Sequence, residues 1–400
     1  MTTAGRLRAR VALAVALLGA WAAGLVGACA TPGRPRDPAD RPAHPAGLLQ
    51  IRWRVELHEH GLFEASPEEC ASGVLAHGRF VIGSRAGNVV AVEPAHGGIE
   101  WSVPVSGGID SEARYDADLD QVYLGADDGS FYALDAAHGR TRWSYRGKGA
   151  IERGAAFGGK GPATGLVYVG TAADRLFALE AGTGKWRWGY ERETPEGFTI
   201  HGYSGPRLGD GRVFTGFADG FLVSLAAGTG EVQWARSLAS ASDQFVDVDA
   251  TPAIVAGGAG GDTLFTASYS GGLYAVDARD GNVRWRVATE GVGTITPFDD
   301  RLYFAAPRQG LHATDLEGHV VWRQGLTEAG DLTPPTVLGG YLLFSGSRAG
   351  LFVVDRESGE LVELFNPGQG ICAAPTLDPG SRRLYVLSNG GTLYALDIGL

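Results

Sequence analysis

The sequence is poor in several things at once. Its 400 residues include only three cysteines and one methionine, and its formal net charge is −11. A chain this acidic offers no basic stripe, which excludes a nucleic-acid groove lined by Lys and Arg. No stretch reads as a credible helix, so there is no Gly-rich loop leading from a strand into a helix to cradle a phosphate. No Ser/His/Asp constellation can be picked out. The apolar run from Val11 to Val26 is too short, and too closely followed by Cys29, to read as a membrane-spanning helix. What is abundant is glycine, at 62 residues, and hydrophobic residues make up 44%. That balance suits an all-β protein with many turns and a large buried core.

The N-terminus reads as a targeting segment. Arg6, Arg8 and Arg10 form a positive region ahead of the apolar run. Val26-Gly27-Ala28-Cys29 resembles a bacterial lipobox, in which the Cys becomes the acylated first residue of the mature chain. Residues 1–28 are then a lipoprotein signal peptide, with an ordinary cleaved signal as the alternative, and lipid on Cys29 would anchor a soluble body to a membrane. Ala30, rather than Asp, follows the Cys and points to the outer membrane. Residues 29–48 form a tether in which Pro32, Pro35, Pro38, Pro42 and Pro45 favour extended chain.

From residue 49 to 400 the chain is organised by a repeat. Its cleanest copy is GGLYAVDARDGNVRW, from Gly271 to Trp285, and the frame returns from Gly129 to Trp143 and from Asp174 to Trp188. First strands are expected near Arg79, Gln121, Leu166, Arg212, Thr263, Arg301, Tyr341 and Arg383, spaced 42, 45, 46, 51, 38, 40 and 42 residues apart. A period of about 40–45 residues with four short strands per unit is the mark of a β-propeller blade. The expectation is an eight-bladed all-β propeller. The Trp position holds Trp101, Trp143, Trp188, Trp234, Trp285 and Trp322, then Glu363 in copy seven. Copy eight lacks the final strand, and Arg52-Trp53-Arg54-Val55 is identical to Arg284-Trp285-Arg286-Val287. The N-terminal strand is therefore expected to complete the last blade and leave no open edge at the seam.

Other repeated positions have packing explanations. Gly83, Gly125, Gly170 and Gly216, with Ala267, Ala305 and Ser345, mark where neighbouring sheets approach most closely. Ala91, Ala133, Ala178, Ala275, Ala313 and Ala395 form a second small position. Glu93, Asp135, Glu180, Asp277, Asp355 and Asp397 stand at turn entrances, where a carboxylate can accept backbone N–H bonds. Aligning the innermost strands on Pro252 and Pro375 puts Cys70, Asp249 and Cys372 at one level of the central channel, together with Ile109, Ile151, Tyr203, Thr294 and Leu332. On that alignment Cys70 and Cys372 face each other across the seam, where a disulfide would staple the ring if the Cα atoms lie within about 7 Å. His58-Glu59-His60 has two ligand-type side chains on one face and no third, and reads as a solvated turn.

The repeat resembles that of the pyrroloquinoline-quinone enzymes, best from Ala178 to Trp188 and from Ala226 to Trp234. In those enzymes the frame is structural, and the adjacent cysteines they carry against the cofactor are missing here. No cofactor is expected. From Tyr190 to Leu400 the chain is more narrowly similar to the BamB family of lipoproteins of the outer-membrane barrel-assembly machinery. The motifs are Asp247-Val248-Asp249-Ala250-Thr251-Pro252, which stands out from the repeat, the Gly271–Trp285 block after it, and the loop GFTIHGYSGP from Gly197 to Pro206. The resemblance implies a non-catalytic scaffold facing the periplasm. Its partner would be a BamA-like insertase, with unfolded outer-membrane proteins as clients. Contact would run through Phe198 and Ile200, at two family Leu positions, His201, at a family Arg position, and Asp247 and Asp249. Read without the family, Phe198 and Ile200 either pack on the blade rim or form an apolar partner site, and the two Asp either cap a turn or present a carboxylate. A general envelope propeller for another protein or a glycan, and a quinone-dependent oxidoreductase, are the alternative functions.

Overall fold

The chain divides into Met1–Ala46 and Gly47–Leu400. The computed structural model describes residues 47–57, 68–158, 161, 164–193, 204–239, 246–257, 260–306 and 309–399. The signal segment, Cys29, most of the tether, the His58–His60 turn and the loop residues Phe198, Ile200 and His201 lie outside them.

The described strands form eight four-stranded antiparallel sheets, the blades of a propeller. Blade 1 shows the pattern: an inner strand Val74–Ala76, then Arg79–Ser84, Asn88–Val92 and an outer strand Ile99–Pro104. The strands expected from the repeat at Arg79, Gln121, Leu166, Arg212, Thr263, Arg301, Tyr341 and Arg383 all form, but each is second in its blade. The inner strands come earlier and are short: Val74–Ala76, Arg114–Asp116, Ala156–Phe157, Arg207–Gly209, Ala253–Val255, Thr294–Phe298, Thr336–Leu338 and Thr376–Asp378. All but Thr294–Phe298 have only two or three residues, too little length to show alternation in sequence. The second and third strands are buried on both faces because each blade packs between two others, so they read as unbroken apolar runs such as Gln121–Gly125. The outer strands alternate, as Thr141–Arg146 does.

The repeated Trp joins blade to blade. In blade 2, Trp143 pairs with Ala133, and its ring lies 5.9 Å from Tyr123. It covers the position a Cβ would take on Gly184, in the turn of blade 3, and its Nε1 donates to Ala181 O at 2.9 Å. Gly184 has φ +71°, so the glycine is required both by the left-handed turn and by the ring above it. The contact recurs at Trp188 on Gly230, Trp234 on Gly281, Trp285 on Gly318 and Trp322 on Gly359, each with an indole-to-carbonyl bond of 3.0–3.1 Å. Trp101 sits on Gly139 in the same way, although its Nε1 has no hydrogen-bond partner among the described residues.

The seam repeats this geometry with the chain's other end. Leu49–Glu56 pairs antiparallel with Thr392–Ile398, which sets Trp53 opposite Ala395. Trp53 lies 5.9 Å from Tyr385, covers Gly97 of blade 1, and donates to Pro94 O at 2.8 Å. Glu363, which holds the Trp place in blade 7, has a different neighbour. Its carboxylate accepts the N–H of Leu48 at 2.6 Å and of Leu49 at 3.3 Å, fixing the start of the closing strand. Four of the six turn acids, Glu93, Asp135, Asp277 and Asp355, accept backbone amides as expected, whereas Glu180 accepts from Thr183 Oγ1 and Arg187, and Asp397 pairs with Arg383. Asp355 accepts the amides of Glu357 and Ser358, and these bonds hold its carboxyl below the usual range.

Candidate functional site

Just before each inner strand the chain crosses from one blade to the next, and these crossings line the ring. Ile109, Ile151, Val248 and Ile371 donate their N–H groups to Ser84, Ala126, Phe217 and Gly346 carbonyls at 3.0–3.2 Å. All four side chains are fully buried. Ile109, Ile151 and Val248 fill the space beside Gly83, Gly125 and Gly216, where an added Cβ would come within 2.1–2.4 Å of their side chains. This explains the small residues at that repeat position. It also corrects the alignment of the channel level. Strand register moves Ile109 and Ile151 into the blades and puts Asp110 and Glu152 in line with Cys70, Asp249 and Cys372, each four residues before its inner strand. Leu332, four residues before Thr336, keeps the place expected for it, whereas Thr294 is instead the first residue of its strand. Tyr203 lies outside the described residues.

At the seam this level is covalently closed. Cys70 and Cys372 form a disulfide with Cα atoms 5.0 Å apart. The polar groups around it are well supported. Asn389 Oδ1 accepts Cys372 N at 2.7 Å, while its Nδ2 donates to Ser347 O at 2.9 Å. Buried Glu69 accepts from Ser84 Oγ and Arg85 N, both at 2.8 Å. Arg85 also pairs with Asp110 at 2.8 Å. Burial pushes the Asp110 carboxyl up to about 6, with Arg85 opposing and Glu152 and Glu69 adding to the rise.

Asp247–Pro252 is the same crossing in blade 5. The register corrects the impression that it departs from the repeat, since Asp249 stands where Asp110 and Cys372 stand in their blades. Asp247 is buried and its carbonyl accepts Tyr269 N at 2.9 Å. Ala250 O accepts the Thr266 hydroxyl at 3.2 Å. Burial raises the Asp249 carboxyl to about 6. Its own amide, Arg153 and the Ala250 amide oppose the rise, while Asp247 adds to it. Asp249 Oδ1 has no hydrogen-bond partner among the described residues. Thr251 ties this crossing to the second motif: its Oγ1 accepts Gly205 N at 2.9 Å, at the described end of the Gly197–Pro206 loop. Arg153 lies beside the same glycine. The two motifs therefore share a root, with one desolvated carboxylate between an acidic and a basic neighbour. Asp110 and Glu152 give no signal in the sequence, because only strand register aligns them with Asp249, and Arg153 gives none because it reaches Asp249 only through the fold. Among the described residues, no group of three or more His, Cys, Asp or Glu could hold a metal ion.

A family model described as Outer membrane protein assembly factor BamB matches residues 50–160, 156–318 and 307–399, which together span the propeller. The chain belongs to the BamB family. Among curated relatives, BamB of Legionella pneumophila (strain Paris) is 26% identical over 161 residues, and that match spans 40% of each chain. The crystal structure of BamB from Moraxella catarrhalis superposes with a TM-score of 0.73 at 22% identity, covering 88% of this chain and 100% of that one. Quinohemoprotein alcohol dehydrogenase from Comamonas testosteroni gives a TM-score of 0.63 at 14% identity, over 87% of this chain and 76% of the enzyme. At these identities both structures speak for the propeller fold alone, so the BamB family match separates the chain from the quinone enzyme.

Proposed function

We propose that this BamB-family propeller is a non-catalytic scaffold that assists assembly of β-barrel proteins into the outer membrane. It would be held there by lipid on Cys29 and face the periplasm. It docks on a BamA-like insertase through the blade 4–5 junction, where Asp247 and Asp249 lie at the root of the loop carrying Phe198, Ile200 and His201. The observation that carries the reading is the bond from Gly205 N to Thr251 Oγ1, because it roots both motifs at one place. The family match over the propeller supports the assembly role. Unfolded outer-membrane proteins are the expected clients, which the exposed edges of outer strands could engage by strand addition.

Crosslinked pull-down of the full chain from envelopes tests this. The wild type should retain the insertase, and Asp249→Lys or Ile200→Asp should lose most of it. Equal recovery with both variants would discard the interface. No recovery with any form, wild type included, would discard the role.

A further inference from the structure

The channel side of blades 1 to 4 holds a cavity of about 920 Å³, lined by inner-strand residues that include Arg114, Tyr115, Phe157, Arg207 and Leu208, and by Asp210 in the turn that follows. That volume lies in the range of small-molecule sites. Each inner strand is the edge of its sheet, so the backbone groups on its channel side are not used by a ladder. Two guanidinium groups belong to this wall. Arg114 is already paired, with Nη2 donating to Glu112 Oε2 at 2.6 Å. Arg207 is not balanced in this way. Its side chain is exposed and makes no ion pair or hydrogen bond among the described residues, while partial desolvation and the positive charge of Arg114 lower its pKa. Asp210, three residues on, lines the cavity without appearing among the groups that act on Arg207.

The exposed Arg207 guanidinium, unpaired among the described residues, leaves its donors open to a ligand in the cavity. Its planar fork suits a carboxylate or phosphate, which can accept two parallel N–H bonds. We propose that this cavity is a binding site for a small oxyanion ligand, held by Arg207 with Arg114 and the free strand-edge amides beside it. The proposal is independent of docking on an insertase, because the cavity lies on the channel wall and includes none of the residues assigned to docking.

Titration calorimetry on the full chain at fixed ionic strength tests it, with citrate as the carboxylate probe and inorganic phosphate as the phosphate probe. Saturable one-to-one binding of either is expected, weakening as salt is raised. The probe that binds more tightly identifies the oxyanion. Arg207→Gln should weaken it at least tenfold, and Arg207→Lys should fall between, since it keeps the charge and loses the fork. Arg140→Gln, an exposed turn position away from the cavity, should bind as the wild type does. Arg207→Gln should melt at or above the wild-type temperature, because a like-charge contact is relieved, and Arg207→Lys, which keeps the charge, should melt near it. Absence of saturable binding by both probes would overturn the site, as would equal affinity in the wild type and either Arg207 variant.

Discussion

Two glycines show how much a single position depends on what lies above it. A Cβ on Gly125 would stand 2.1 Å from Ile151 Cγ2 and 2.6 Å from Ile151 O, whereas at Gly182 nothing lies within 4 Å. Gly125→Ala should therefore destabilise by about 1–3 kcal/mol through overpacking, and Gly182→Ala should be close to neutral, as denaturant midpoints can show. Asp249 supplies a second prediction at this scale. Its carboxyl rises from 3.8 to about 6 on folding. Between those values the folded chain keeps a proton that the unfolded chain has lost, so stability falls as pH rises through that window and is level above it. The full effect has a ceiling of about 3 kcal/mol. Asp249→Asn removes it. The variant should gain on the wild type by about 1–3 kcal/mol at pH 8, with the gain shrinking toward pH 4. Parallel stability curves for the two proteins across this range would refute the assignment.

At the scale of the strand, Glu363 is the informative exception. The other outer strands spend this position on a Trp that covers the next blade's turn, whereas blade 7 meets the start of the closing strand. Two backbone amides there take a half-buried carboxylate. Glu363→Ala should cost about 1.5–3 kcal/mol, the range for hydrogen bonds to a charged group. Glu363→Trp should not recover it, because an indole cannot accept those two N–H bonds. A chemical denaturation series on the two variants decides this. The same strands show what was legible in the sequence. Second, third and outer strands announced themselves through apolar runs, the turn acid and the Trp, and the identity of residues 52–55 with 284–287 located the closing strand. The inner strands did not, since two or three residues such as Ala156–Phe157 carry no period. That gap hides the crossings, so alignment on the repeat alone puts Ile109 at the channel level in place of Asp110. It also conceals Arg114 and Arg207, which belong to inner strands.

The whole ring is closed twice, at two radii. Outside, Trp53 and its strand complete blade 8 and dock on blade 1. Inside, the Cys70–Cys372 bond spans 302 residues of sequence. Such a cross-link stabilises chiefly by restricting the unfolded chain, typically by about 2–4 kcal/mol, so reductant or Cys372→Ser should lower the denaturation midpoint accordingly. A second effect follows from its place. The disulfide joins the crossings that lead into the inner strands of blades 1 and 8, where the ring is otherwise held by hydrogen bonds such as Ala374 N to Ser72 Oγ and Thr376 Oγ1 to Gly73 O. Without it, local opening at the seam should become easier than opening elsewhere. Under native conditions, amide exchange should accelerate first in Val74–Ala76 and Thr376–Asp378, while Arg207–Gly209 in blade 4 keeps its wild-type rate. Uniform acceleration around the ring would show that the bond acts on the unfolded chain alone, leaving the outer strand as the fastener that keeps the folded ring shut.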